Sequence, residues 1–84
     1  MPTYFFHTDD GTRILDQVGT DLPNDARAHR EAIRLAGAMM GHEPQLLWGG
    51  RRFLTEVVSE AGEPLFTILA QSIPGAVSRP PHDK

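Results

Sequence analysis

Eighty-four residues, 39% of them hydrophobic, with a net charge of −3 at pH 7, describe one small domain with room for a single core. The absence of cysteine excludes a disulfide framework and thiolate chemistry and fits a cytoplasmic setting. The negative balance opposes a non-specific grip on nucleic acid, the start MPTYFFHTDD lacks the basic flank and apolar run of a secretory signal, and no apolar run approaches the ~20 residues of a membrane span.

In chain order, Pro2 to Thr8 is aromatic-rich and leads to Asp10-Gly11, a dipeptide suited to the positive φ angles of a two-residue type I′ hairpin turn. The return strand is expected over Thr12 to Gln17. Such a turn sets Phe6 opposite Leu15 and His7 opposite Ile14, so Tyr4, Phe6 and Leu15 share one sheet face and Phe5, His7 and Ile14 the other. Gly19 and Leu22-Pro23 then carry the chain onward, with Leu22 placed to plug the end of the core.

Asn24 to Gly41 reads as an amphipathic helix. Stepping about 100° per residue gathers Ala28, Ala32, Leu35, Ala36 and Met39 into one arc, with Ile33 and Met40 extending it and Arg27, Arg30, Glu31 and Arg34 opposite. Asn24 suits the N-cap, Asp25 complements the helix dipole, Gly41 suits a left-handed C′ position and Pro44 blocks resumption. The alanines leave little bulk, so the backbone can approach a sheet closely.

His42 to Gly50 carries Leu46, Leu47 and Trp48, more apolar than a free linker, and is predicted to fold back on the core. Arg52 to Ser59 alternates as a strand, Glu60 to Glu63 is a turn, and Leu65 to Gln71 returns. A two-residue turn at Ala61-Gly62 would set Phe66 beside Val57 and Ile68 beside Thr55. The sum is an α+β domain over residues 1–71: a ββαββ chain forming a four-stranded antiparallel sheet with one amphipathic helix packed on one face. Residues 72–84, with three prolines, a glycine and few large apolar residues, are expected to form a disordered tail.

The opening M-P-x-Y-F-F-H, the Asp10-Gly11 turn, Asp16, Gly19, Leu22-Pro23, Ala28, Glu31-Ala32, Val57 and Gly62 together resemble a family of short uncharacterised proteins of alphaproteobacteria such as the rhizobia. The resemblance covers about residues 1 to 70 and implies a small cytoplasmic domain of unknown function, with no activity, cofactor or catalytic residue to carry over. That family usually has a tryptophan near the position of Phe53.

No spacing matches a catalytic, cofactor-binding or metal-binding arrangement, so no catalytic residue, cofactor or metal is expected. His7, His29, His42 and His82 do not pair at i, i+4, and none lies in an HExxH pattern. His29, inside the apolar arc, reads as a packed ring. Asp9, Asp10 and Asp16 gather near the first hairpin, where turn chemistry accounts for Asp10. Ser59, Ser72 and Ser78 lack a nucleophile elbow, and Gly49-Gly50 is too short for a phosphate loop.

Arg27, Arg30, Arg34, Arg51 and Arg52 form the one basic concentration, a candidate patch for RNA or an acidic protein, although Glu31 can pair with Arg27 or Arg34. More is implied by what one helix leaves uncovered. Both parities of the strands carry apolar residues, and the second face is expected to hold Phe5, Ile14, Leu54, Val58 and either Leu65 or Leu69. Its expected occupant is another copy or an unidentified protein partner, unless the Trp48 loop and the tail fold over it.

Overall fold

Alternation is strict in the two strands that form the middle of the molecule. The computed structural model describes residues 1–75. In β1 (Thr3–Asp9) the buried positions are Tyr4, Phe6 and Thr8, and in β4 (Arg52–Val58) they are Phe53, Thr55 and Val57. These strands pair antiparallel from Phe5↔Val58 to Asp9↔Leu54, which puts both buried sets on one face. Around them lie β2 (Arg13–Ile14), β3 (Thr20–Asp21), the helix α1 (Asp25–His42), a 3₁₀ segment (Pro44–Gly50) and β5 (Pro64–Gln71). The sheet order is β2-β1-β4-β5, with β3 also on β1. The result is an α+β fold with one main helix and an open antiparallel sheet of five strands. Of the second strand expected over Thr12 to Gln17 only Arg13–Ile14 forms, and β3 lies in the stretch expected to be a linker, which adds a fifth strand to the four expected.

The first hairpin departs from the expected register. Thr8 pairs with Ile14 and Asp9 with Arg13, leaving a three-residue connection over Asp10, Gly11 and Thr12. Only Gly11 there has positive φ, at 108°, so the turn is not type I′. The cause is side-chain chemistry: the Asp9 carboxylate accepts from the Gly11 N–H at 2.9 Å and Asp10 accepts from the Thr12 N–H at 3.1 Å. One extra loop residue reverses the faces. Ile14 therefore shares the parity of Thr8 and the helix side, not that of Phe5 and His7, and Leu15 lies beyond β2, exposed and not opposite Phe6.

The second hairpin keeps its expected pairs by a different route. Ser59 donates its N–H to the Glu63 carbonyl at 2.8 Å across a three-residue turn closed by Gly62 at φ 87°. A bulge then pairs Val58 with Pro64 and Val57 with Phe66, skipping Leu65. The extra turn residue and the bulge cancel. Phe66 stands beside Val57 and Ile68 beside Thr55.

Helix α1 begins as the sequence indicates, with the Asn24 side chain accepting from the Arg27 N–H at 3.0 Å and Asp25 in the first turn. It runs past the expected stop. Gly41 is helical, and the end is set by Glu43, whose N–H reaches the Met39 carbonyl, just before Pro44. Ala28, Ala32 and Ala36 are buried against the sheet, Leu35, Met39 and Met40 are partly buried, and Ile33 is exposed. Two apolar clusters result, Tyr4, Phe6, Ala28, Ala32 and Val57 in one, Ala36, Leu46 and Phe53 in the other. Leu22 packs on the first, as expected.

Thr55 lies in β4 between Phe53 and Val57, fully buried, and its hydroxyl has no hydrogen-bond partner among the described residues. A buried polar atom left unpaired costs about 1–3 kcal/mol. Thr55→Val, of nearly the same shape, is expected to stabilise the domain by about 1 kcal/mol, read as a higher urea midpoint at unchanged m-value.

Candidate functional site

The second face of the sheet follows from the same parities. Odd residues of β1 and even residues of β4 point away from α1, and β5 continues the rows through Leu54↔Leu69 and Glu56↔Thr67. Phe5 stands directly beside Val58, and Leu54 beside Leu69. Of the residues expected on this face, Phe5, Leu54, Val58 and Leu69 are on it; Ile14 is not, and its place beside Asp9 is taken by Arg13. Leu65, at the bulge, packs instead on the helix-side core. Leu69 is the most open of the four, at 54% exposure, while the other three are partly buried.

Neither helical segment reaches this side. Leu46 is buried with Ala36 and Phe53, and Leu47 packs on the same helix-side cluster, so the 3₁₀ segment enlarges the first core and does not cover the second face. Trp48 is 67% exposed and only in part fulfils the expectation that its loop folds inward. Ser72 to Gly75 are exposed and outside regular structure. The rest of the expected tail, with Ser78 and His82, lies outside the described residues.

A polar row crosses the apolar face. Arg13 forms a salt bridge with Glu56, and His7 and Thr67 flank Glu56. At the outer edge of β1, between β2 and β3, the ladder is completed by one side chain. The Asp16 carboxylate accepts from the Phe6 N–H at 3.1 Å and, through its other oxygen, from the Val18 and Gly19 N–H groups at 3.0 and 3.1 Å. The Asp16 N–H donates to His7 Nδ1 at 3.0 Å. Gly19, at φ 80°, sits against this knot; a Cβ there would come within 2.6 Å of Thr3 Cγ2 and 3.0 Å of the Phe5 ring. Sequence reading grouped Asp16 with Asp9 and Asp10 and missed this role. The available signal was Asp16 three residues before Gly19, a spacing at which aspartate bonds the following backbone.

The remaining candidates scatter. Arg27, Arg30 and Arg34 line a shallow cavity of about 290 Å³ with Leu22 and Glu31, and Arg34 is bound through two N–H groups to the Glu31 carboxylate. That pairing holds Glu31 below the usual carboxylate range and raises Arg34. Arg51 and Arg52 line a separate open cavity of about 780 Å³ with Asp9, Asp10 and Leu54. The five arginines thus line two cavities, and the second is shared with carboxylates. The exposed His29 leans on the Phe66 ring at 4.6 Å, and His42 lies exposed in the last turn of α1. Among the described residues no three His, Asp or Glu side chains converge as a metal set, and no helix is long and apolar enough to cross a membrane.

An α+β domain with one helix-covered and one open sheet face, and with Asp9, Asp10 and Asp16 engaged in a turn and an edge knot, is the class that these features define. The chain belongs to the DUF6894 family of domains of unknown function, whose model matches residues 3–71. No curated protein and no solved structure matches it.

Burial pulls the Asp16 carboxyl upward, but the N–H bonds from Gly19, Phe6 and Val18 outweigh it and leave the group below the ordinary carboxylate value. A folded-state value below the unfolded one gives stability that is present above about pH 4 and is lost as pH falls through the depressed folded value. Wild type is therefore expected to lose stability relative to Asp16→Asn on acidification, the gap between them narrowing below about pH 4, as followed by urea midpoints across pH. A constant gap would remove the knot from the stability of the fold.

Proposed function

We propose that this domain is a non-catalytic association module of the cytoplasm, and that the sheet face opposite α1 is where copies of the chain meet. The observation that carries the reading is the pairing of Phe5 with Val58 and of Leu54 with Leu69 on a face that neither helical segment reaches. The Arg13–Glu56 pair across the middle is compatible with it, since the two charges neutralise each other within one copy and leave no net charge there to repel a second. The absence of cysteine accords with the cytoplasm. Absolute mass by light scattering over a concentration series tests the reading. Phe5→Ser and Val58→Glu are expected to lower the mass of the assembly while the far-ultraviolet helix signal persists. Unchanged mass, or unfolding of both variants as monomers, would count against it.

Nucleic-acid binding through Arg27, Arg30, Arg34, Arg51 and Arg52 has less behind it, because Glu31 engages Arg34 and Arg51 and Arg52 share their cavity with Asp9 and Asp10. Titration of labelled RNA and DNA at two salt concentrations is expected to give no binding even at the lower one, where phosphate contacts are strongest. Salt-sensitive binding lost in Arg27→Ala/Arg30→Ala would restore that alternative.

A further inference from the structure

The two edges of the sheet are treated differently by the sequence. The outer edge of β1 is occupied by β2 and β3, and in the gap between them the Asp16 carboxylate takes the Phe6 N–H. This edge is broken, covered and charged, the usual protections against pairing with another chain. The outer edge of β5 has none of these: among the described residues no strand pairs with it, and it is eight residues long. Its one proline, Pro64, stands at the first position, and the bulge at Leu65 adjoins it, so the six residues Phe66 to Gln71 follow as regular strand. None of the residues from Leu65 to Gln71 is charged. Alternate residues of such a strand aim N–H and C=O groups outward together, a template for another strand.

We infer that β5 pairs antiparallel with β5 of a second copy, joining the two sheets into one. The occupant follows from three observations. An uncharged strand offers a hetero-partner no charge to recognise, whereas a chain of net charge −3 meets its own copy with least repulsion along a segment that carries none. Antiparallel self-pairing satisfies the outward groups of both copies reciprocally about one twofold axis and needs no further segment. Three of the eight large apolar side chains exposed among the described residues also lie at this end of the sheet: Leu69 on the strand, Ile73 just beyond it, and Trp48 on the 3₁₀ segment, whose Gly50 carbonyl accepts from Gln71 Nε2 at 2.9 Å. The edge contact is separate from the face contact proposed above, and it leaves the Phe5 and Leu54 face open on both copies.

The chain has no native cysteine, so single cysteines give a clean test. Residues directly opposite in an antiparallel pair have Cα atoms about 4.5–5.5 Å apart, within disulfide reach, whereas sheets stacked face to face lie about 10 Å apart, beyond it. Thr67→Cys and Leu69→Cys are prepared in a Phe5→Ser background, which removes the face contact, and are oxidised separately and as an equal mixture. The expected result is a disulfide dimer of Thr67→Cys or of Leu69→Cys alone, and again as that homodimer in the mixture, if the axis passes through that residue, and a heterodimer in the mixture only if it passes through Ile68. Hydrogen exchange at Phe66 to Gln71 in the Phe5→Ser protein without added cysteine is expected to slow as concentration rises. No dimer in any sample, with exchange independent of concentration, overturns the inference. The face reading is judged separately, by whether Phe5→Ser changes the mass at all.

Discussion

Helix α1 can lie on the sheet because alanine occupies each position where it comes closest. Ala28, Ala32 and Ala36 bring no side chain beyond Cβ to the contact, so the space between helix and sheet is filled from the sheet side by Tyr4, Phe6, Phe53 and Val57. The bulk comes from the two central strands, the flat surface from the helix. Interchanging those roles at one position would overfill the contact, and overpacking a dense core typically costs about 1–3 kcal/mol. The parity of β1 and β4 is fixed by this fit, and the composition of the second face follows from that parity.

Elements with a periodic signal were legible in the sequence. The alanine stripe and the Asn24 cap defined α1 at its start, and the alternation of β1, β4 and β5 gave the sheet, its helix side and four of the five residues expected on the far face. What escaped was local polar chemistry. Asp9 and Asp10 bind loop N–H groups and lengthen the first turn by one residue, and that moved Ile14 and Leu15 off their expected places. In the second hairpin the bulge at Leu65 offset the same kind of error. The end of α1 was misjudged because glycine permits a left-handed stop without requiring one, and Pro44 lies near enough to end the helix by itself.

The candidate site was legible in part for the same reason. Phe5, Leu54, Val58 and Leu69 could be assigned to a face by counting in twos. The Asp16 knot could not, since it requires a carboxylate to turn back across the edge of a strand ten residues earlier in the chain, and periodicity carries no information about that. Arginines spaced through a sequence likewise say nothing about whether they converge. Here Arg27, Arg30 and Arg34 follow the outer helix surface, while Arg51 and Arg52 stand next to the first hairpin loop.

The pairing of Phe5 with Val58 joins the first strand of the domain to its penultimate one, with α1 between them in sequence. During synthesis the long inner edge of β1 has no partner until β4 has been made, and the alanine stripe has only half of its sheet to lie on. The N-terminal hairpin and helix therefore do not constitute a subdomain, and ordering must wait for contacts between distant parts of the chain. For a chain of this topology folding is expected to be limited by loop closure more than by local helix formation, and unfolding to follow as one cooperative unit.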